Sequence, residues 1–176
     1  MNQIITVNQT DDTKAVLKLW EKKNKEWHVH YHTMAYIGKN GLGKEKEGDA
    51  KTPAGVYHLM QGFGIKENPG TKLPYTQLHE YHYWGNDDET LYYNRMVDAR
   101  DYAEKIKGEH LLTYGKAYHY AIWINYNEEC IKGEGSCIFL HCMGEEAYTQ
   151  GCIAISEDAI IYILRRIKQG IMICIG

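Results

Sequence analysis

The chain has 176 residues, a length that suits one domain able to bury about 70% of its unfolded surface. Hydrophobic residues make up 44% and charged residues 24%, which excludes a disordered or low-complexity chain. A formal net charge of −3 and a pI near 6.3 leave no basic footprint, so we expect no nucleic-acid partner.

The cysteines and the apolar runs limit where the protein can work. Five cysteines are an odd number and too few for a disulfide-built scaffold, so at least one thiol should be free. No apolar run approaches the roughly 20 residues that cross a bilayer, and residues 1–8 lack the pattern of a signal peptide. We expect no membrane insertion, and either a protein that stays inside the cell or one whose export signal lies outside this sequence.

The first sixty residues are typical of strands. Residues 4–7, 15–20 and 27–31 alternate or are β-branched, with polar turns between them, which predicts a meander. Residues 38–49 are too rich in glycine and charge for a core element and predict an exposed loop. A strand pattern resumes over residues 55–60.

The middle of the chain is less regular. Residues 62–96 hold two of the three prolines and many Tyr and Trp residues, and a long irregular segment of this kind predicts a lid or binding loop. Residues 99–107 predict a short helix, and residues 120–126 return to strand-like alternation.

The last forty residues predict three strands and a helix. Residues 136–140 and 152–155 are short apolar runs that predict buried strands. Ser156 is a good N-cap for a helix running to about Lys168, which Gly170 stops. Residues 171–175 form the last strand, so the sequence predicts one mostly-β domain over residues 1–176 with one or two short helices.

The strongest candidates for catalytic residues lie where one apolar strand ends in His141 and the next begins with Cys152. If the two strands pair antiparallel, these side chains face each other at the loop mouth. An imidazolium beside a thiol lowers the thiol pKa, and the thiolate attacks a carbonyl. The backbone amides of Gly151 and Cys152 could then donate to the oxyanion of a tetrahedral intermediate.

The other cysteines have simpler interpretations. Buried free cysteines usually behave as small hydrophobic residues, and Cys130, Cys137 and Cys174 fit that class. Cys142 is adjacent to His141, but successive side chains of a strand point to opposite faces, so it should face away from Cys152. Cys142 is therefore the second candidate for a nucleophile.

Two metal sites are alternatives to this chemistry. Zinc favours Cys and His ligands, but the chain lacks the paired C-x-x-C spacing of zinc sites. The zinc alternative would use four residues, Cys137, His141, Cys142 and Cys152. His28, His30 and His32 share a strand face by the period of two, which could present three imidazoles to a metal or form a solvated row. We expect no metal and no other cofactor.

The order of these residues resembles a known family. His141 followed by Thr149, Gln150, Gly151 and Cys152 resembles the His...[Ser/Thr]-x-Gly-Cys signature of the YkuD-type L,D-transpeptidase catalytic domain. Residues 48–57 resemble the Gly-Asp-x-x-Thr-Pro-x-Gly segment of that family. Further likenesses, spread over residues 35–170, are Trp84 with Asp88, Tyr93-Asn94, Glu109-His110, Tyr126-Asn127 and residues 133–136.

The resemblance implies a β-sandwich-like domain that acts on peptidoglycan stem peptides. The family's cysteine attacks the amide after the third residue of a tetrapeptide stem, expels D-Ala, and passes the acyl group to an amine, which gives a 3-3 cross-link. Carried over, Cys152 is the nucleophile, His141 the general base and Gly151 part of the oxyanion hole. Thr149 steadies the loop. The resemblance also implies a set of substrate-binding residues, which comprises Thr149, Gln150, Trp84, Tyr93 and Asn94.

This sequence departs from the family at three points. Many members have His where Gln150 stands, and a basic residue where Ala154 stands, so a cation that could hold a stem carboxylate is missing. The loop between His141 and Cys152 is also shorter than in many relatives, and the Tyr- and Trp-rich segment could replace the missing cleft wall.

The resemblance leaves alternative outcomes open. Release of the acyl-enzyme to water would make the protein an L,D-carboxypeptidase, and loss of the chemistry would leave a non-catalytic wall-binding module. The expected partners are stem peptides and, as a covalent inhibitor, a carbapenem. The substrate places the expected site of action outside the cytoplasmic membrane, in the cell wall or periplasm.

Overall fold

The protein is described here by a computed structural model that covers residues 2–176. Within those residues the chain forms twelve strands, one α-helix and two 3₁₀ helices, which confirms the mostly-β prediction. The strands are β1 (Gln3–Asp11), β2 (Lys14–Lys23), β3 (Glu26–Tyr36), β4 (Gly55–Gly64), β5 (Tyr75–Gln77), β6 (His82–Gly85), β7 (Met96–Asp98), β8 (Gly108–His110), β9 (Ala121–Ile124), β10 (Phe139–Cys142), β11 (Ile153–Ile155) and β12 (Met172–Ile175). The helices are α1 (Glu157–Arg166) and the 3₁₀ helices Ala99–Asp101 and Leu111–Tyr118.

Nine strands form the main sheet, in the order β12-β1-β2-β3-β11-β10-β9-β4-β5. The first three strands are the predicted antiparallel meander, and each is longer than its sequence pattern suggested. Strand β12 pairs with β1 on one side and with β4 on the other. This double pairing closes the sheet on itself, so the sandwich is barrel-like, and β5, which pairs with β4 beyond the closure, remains as an edge strand.

The main core follows from the period of two in the strands. Ile5 and Val7 of β1, with Leu17 and Leu19 of β2, are fully buried on one face. At about 25 cal/mol per Å² of apolar surface, each such side chain contributes about 1.5–3 kcal/mol of transfer free energy. These alternating residues therefore fix which face of the meander is internal.

The α-helix completes this core. Ser156 is its N-cap and accepts a hydrogen bond from the Ala159 amide, as predicted. The helix ends at Arg166 because Ile167 is extended, just before the predicted end at Lys168. Ile160, Ile163 and Leu164 are buried on its inner face. No helix within residues 2–176 is long and apolar enough to cross a bilayer.

A second, three-stranded sheet in the order β7-β6-β8 lies in the region predicted to be a lid. Its core is an aromatic cluster in which Phe63 and Trp84 contact Phe139 of the main sheet. The predicted helix over residues 99–107 is wrong, because only the turn Ala99–Asp101 forms and Tyr102 is extended. That segment buries only Ile106, so it has no apolar stripe to hold a helix against the core.

Candidate active site

The two residues of the predicted acyl-transfer pair lie on neighbouring strands of the main sheet. His141 belongs to β10, and Cys152 comes immediately before β11. The strands are parallel, with His141 opposite Ala154, so the predicted antiparallel pairing is wrong. Residues 143–152 form a connection that returns the chain to the edge where β10 began, and β11 then enters between β10 and β3.

The parallel register still places both side chains on one face. Residues two apart in a strand share a face, so Cys152 lies on the same side as Ala154 and its partner His141. Cys152 and His141 both line one cavity of about 310 Å³. Cys142 points the opposite way into the main core and is fully buried, as predicted.

Cys152 is a partly exposed residue whose thiol is held by backbone groups. Its Sγ donates to the Cys137 carbonyl at 3.0 Å and accepts from the Phe139 amide at 3.3 Å. Burial raises the pKa of the Cys152 thiol to about 12, an effect that the Phe139 amide opposes and the Glu109 carboxylate reinforces. The resting thiol is therefore protonated, in contrast to the expectation that a neighbouring imidazolium lowers its pKa.

His141 is arranged as a neutral base. Its Nδ1 lies 2.7 Å from the Cys142 carbonyl oxygen. A carbonyl can only accept, so Nδ1 carries the proton and Nε2 keeps its lone pair. Burial lowers the pKa of His141 to about 4, against the opposing effect of that carbonyl. The Tyr118 ring packs edge-on against the imidazole at a centroid distance of 5.5 Å and limits its rotation.

Thr149 fixes the turn that carries the nucleophile. Its hydroxyl donates to the Cys152 carbonyl at 2.6 Å and accepts from the Gly151 amide at 3.1 Å. Gly151 has a φ of 141°, and a Cβ there would meet the Lys51 carbonyl at 2.9 Å. The structure thus supports the predicted loop-steadying role of Thr149.

The same hydrogen bond changes the predicted oxyanion hole. Because the Gly151 amide donates to Thr149, it is occupied in this conformation. The Cys152 amide forms no hydrogen bond to another group of residues 2–176, which leaves it as the free donor beside the thiol. Gln150 is exposed and lines the cavity.

Part of the cavity lining comes from the second sheet and the 3₁₀ helix after it. Glu109 of β8 lies there with Tyr114 and Tyr118, and the Tyr118 hydroxyl donates to the Glu109 carboxylate at 3.1 Å. Burial raises the pKa of Glu109. Of residues 62–96, which were predicted to form the wall, Asn86 alone lines the cavity.

The loop before β4 supplies the third wall and is less exposed than predicted. Lys44 is only 9% exposed, and its Nζ pairs with Asp49 at 2.9 Å. The Asp49 carboxylate also accepts from the amides of Glu45, Lys46 and Lys51. Together with Lys44, these donors hold the pKa of Asp49 well below its usual range despite burial. Asp49 therefore serves as the hub that folds this loop beside the cavity.

Trp84, Tyr93 and Asn94 are at most 2% exposed, and none of them lines the cavity. The Asn94 Oδ1 accepts from the Trp84 indole at 3.1 Å and from the Cys137 amide at 3.2 Å. The Tyr93 hydroxyl accepts from the Gly135 amide at 2.9 Å. These residues hold the segment that carries the thiol's carbonyl partner, so the expected direct contact with substrate is not supported.

The structure does not bring the proposed zinc ligands together. Cys142 lies on the core side of β10, away from the cavity lined by Cys137, His141 and Cys152. The row of three histidines on β3 is also broken, because a bulge shifts the β2–β3 register at His30. The His30 Nε2 instead meets the Tyr162 hydroxyl at 2.8 Å.

Within residues 2–176, one group has the spacing of a metal site, and it lies outside the cavity. It comprises His79, His82 and Asp98. Arg100 already holds both carboxylate oxygens of Asp98, at 2.9 and 2.6 Å. The two imidazoles are stacked at 3.7 Å, so their lone pairs do not converge on one point. A cation there would have to displace the guanidinium and separate the rings.

Comparison with known proteins gives one family. The model of the YkuD family, the L,D-transpeptidase catalytic domain, matches residues 2–175. No curated protein matches the chain.

Solved structures share the fold at low sequence identity. Bd1075 of Bdellovibrio bacteriovorus is 19% identical with a TM-score of 0.55, and the match covers 99% of this chain and 48% of that one. The helical cell shape determining protein Pgp2 of Campylobacter jejuni is 16% identical with a TM-score of 0.53, and the match covers 99% and 47%. The chain thus spans about half the length of these relatives.

Proposed function

Because the chain belongs to the YkuD family of L,D-transpeptidase catalytic domains, we propose that it is a cysteine-dependent acyltransferase acting on peptidoglycan stem peptides. One observation carries the proposal: Cys152 and His141 share one face of two adjacent strands and line one open cavity. A thiol and a neutral imidazole in such a cavity are the minimum for acyl transfer to and from sulfur.

The first half-reaction forms a thioester. The substrate carbonyl enters between the Cys152 Sγ and the Cys152 amide, which is the free donor for the developing oxyanion. His141 Nε2 takes the thiol proton as sulfur attacks, and returns that proton to the nitrogen of the departing D-Ala. The C–S bond forms and the C–N bond breaks, while the Cys142 carbonyl stabilises the transient imidazolium through Nδ1–H.

The second half-reaction passes the acyl group to an amine of a neighbouring stem. The amine nitrogen attacks the thioester carbonyl, the C–N bond forms and the C–S bond breaks. The surplus proton on nitrogen returns to sulfur through His141. The product is a 3-3 cross-link, and a water molecule in place of the amine would give a carboxypeptidase.

Product analysis tests this proposal. Incubation with a tetrapeptide muropeptide should yield cross-linked dimers and free D-Ala, both read by mass spectrometry. Cys152→Ala should yield neither, whereas Cys174→Ala, which removes a thiol on β12 outside the cavity, should resemble wild type. Tripeptide without dimer would replace transpeptidation by carboxypeptidation, and no product at all would leave a non-catalytic wall-binding module.

The proposed substrate also sets the site of action. Peptidoglycan is cross-linked outside the cytoplasmic membrane, so the domain would work in the cell wall or periplasm. Fractionation of cells that produce the full-length protein, followed by immunodetection, tests this. Recovery from the cytoplasm alone would contradict it.

A further inference from the structure

The cavity of Cys152 and His141 carries more negative than positive charge along its walls. Its single lysine, Lys44, is already paired with Asp49. Its carboxylates are Glu47, Glu109, Glu145 and Glu146. A cavity with this balance attracts a cationic group and disfavours a second carboxylate.

Glu109 differs from the other three carboxylates. Glu145 and Glu146 are exposed to solvent, and Glu47 accepts hydrogen bonds from Tyr93 and Ser136 at 2.6 and 2.7 Å. Glu109 is half-buried and lines the same cavity as the nucleophile. It has no ion-pair partner among residues 2–176.

The hydrogen bonds of Glu109 are correspondingly incomplete. The Tyr118 hydroxyl donates to its Oε2 at 3.1 Å, and the Tyr114 hydroxyl and the Cys137 thiol are further hydrogen-bond partners that oppose the rise in its pKa. None of these donors is a cation, and an ionised carboxylate offers about four acceptor positions. Placing a carboxylate in a low-dielectric wall is costly unless a cation or further donors compensate. The structure therefore holds an acceptor for a positively charged group within the reaction cavity itself.

The proposed second half-reaction supplies a group of this kind. The amine of a neighbouring stem is an ammonium at neutral pH, and it must reach the thioester on Cys152 and lose a proton before it attacks. We propose that Glu109 binds this acceptor ammonium and takes its proton, so that the cavity is selective for cationic amine acceptors. This inference rests on the proposed function and names the acceptor class that the site takes.

The ammonium transfers one proton to the Glu109 carboxylate, and the neutral nitrogen then forms the C–N bond as the C–S bond breaks. The second nitrogen proton reaches the departing thiolate through His141, and Glu109 releases its own proton to solvent. The raised pKa of Glu109 suits this role, because a more basic carboxylate accepts a proton more readily.

The experiment separates the two half-reactions with two nucleophiles. The acyl-enzyme formed from a tetrapeptide stem is exposed either to a stem tripeptide with a free side-chain amine, or to hydroxylamine, which is uncharged at neutral pH. Glu109→Gln keeps the side-chain shape and the Tyr118 partner while removing the charge. Glu67→Gln, at an exposed position outside the cavity, is the matched control for net charge.

Glu109→Gln should raise the tripeptide concentration that gives half-maximal dimer by about tenfold or more, the scale of a lost charge-assisted hydrogen bond. Cleavage by hydroxylamine should change by less than about threefold. Acyl-enzyme formation should be at least as fast as in wild type, because the Glu109 charge raises the pKa of Cys152. This split between half-reactions is not expected from a structural defect.

Several results would overturn the inference. An equal change with both nucleophiles, or no change with either, would remove Glu109 from acceptor binding while leaving the proposed function intact. Absence of any acyl-enzyme in wild type would overturn the proposed function and this inference with it. If Glu109→Gln does not fold, Glu109→Asp takes its place, because it keeps the charge but withdraws it by one methylene and should again weaken the tripeptide acceptor while sparing hydroxylamine. An identical response of both acceptors to Glu109→Asp would contradict the inference.

Discussion

Replacing Gly151 by alanine tests how tightly the backbone positions the nucleophile. The φ of 141° is rarely adopted by L-residues, and the new Cβ would lie 2.9 Å from the Lys51 carbonyl oxygen and 3.2 Å from Ile138 Cδ1. The first of these atoms is backbone and cannot rotate away. Strain at such a position costs about 1–3 kcal/mol, which corresponds to a drop in Tm of about 3–10 °C for a chain of this size.

The same strain should also slow the acylation of Cys152. The Thr149 hydroxyl hydrogen-bonds both the Gly151 amide and the Cys152 carbonyl. A backbone shift that relieves the clash at residue 151 therefore moves Cys152 relative to His141. A displacement of about 1 Å can reduce a rate by about 100-fold, and we expect a loss of that size in the rate of acylation by a carbapenem. Thermal unfolding and timed mass spectrometry measure the two effects.

Gly144→Ala is the matched control for stability. Gly144 lies in the connection between the same two strands, and a Cβ there would meet no atom within 4 Å. Its Tm should therefore stay within about 2 °C of wild type. Gly151→Ala with the wild-type Tm and the wild-type acylation rate would refute the reasoning about this turn.

Three further predictions concern Thr149 and His141. Thr149→Val leaves the buried Gly151 amide without its acceptor, which should cost about 1–3 kcal/mol of unfolding free energy in chemical denaturation, whereas Thr149→Ser should recover most of it; equal losses in both variants would contradict the hydroxyl's role. The acylation rate should fall with acidification only near pH 4, since burial lowers the pKa of His141 to about 4 from 6.5. Between pH 6.5 and pH 4 the unfolded chain binds a proton at His141 that the folded state does not bind. The free energy of unfolding should therefore decline as the pH falls through this range. Stopped-flow acylation with an acid limb near pH 6.5 would contradict the buried neutral imidazole.

The strands and the helix were predictable because their signals are local. The alternation of residues 4–7 and 15–20 specifies a buried face whatever the partner strand. The Ser156 hydroxyl followed by two acids specifies a helix start within four residues. These features needed no knowledge of the rest of the chain.

The direction in which strands pair and the closure of the main sheet could not be predicted from local sequence patterns. Period-two alternation is identical in parallel and antiparallel strands, so the sequence around His141 and Cys152 gave both residues but the wrong direction. The direction depends on β3, which lies far away in the sequence and pairs with β11 through Tyr36. The β12–β4 pairing that closes the sheet is equally non-local.

The walls of the site were the hardest part to predict. Glu109 is one charged residue in a three-residue strand, and no periodic pattern marks it as facing the nucleophile. Trp84 and Asn94 were expected to bind substrate because of the family resemblance, yet they are buried and hydrogen-bond each other. Which polar side chains face a cavity depends on how two sheets meet, and this is set by packing between distant segments.

Covalent labelling tests the central claim that Cys152 is the nucleophile and His141 its base. A carbapenem should add its mass once to wild type and not to Cys152→Ala, and His141→Ala should label at least about 100-fold more slowly. Labelling of Cys152→Ala at the wild-type rate would contradict the assignment of the nucleophile. An unchanged rate in His141→Ala would show that another group activates the thiol.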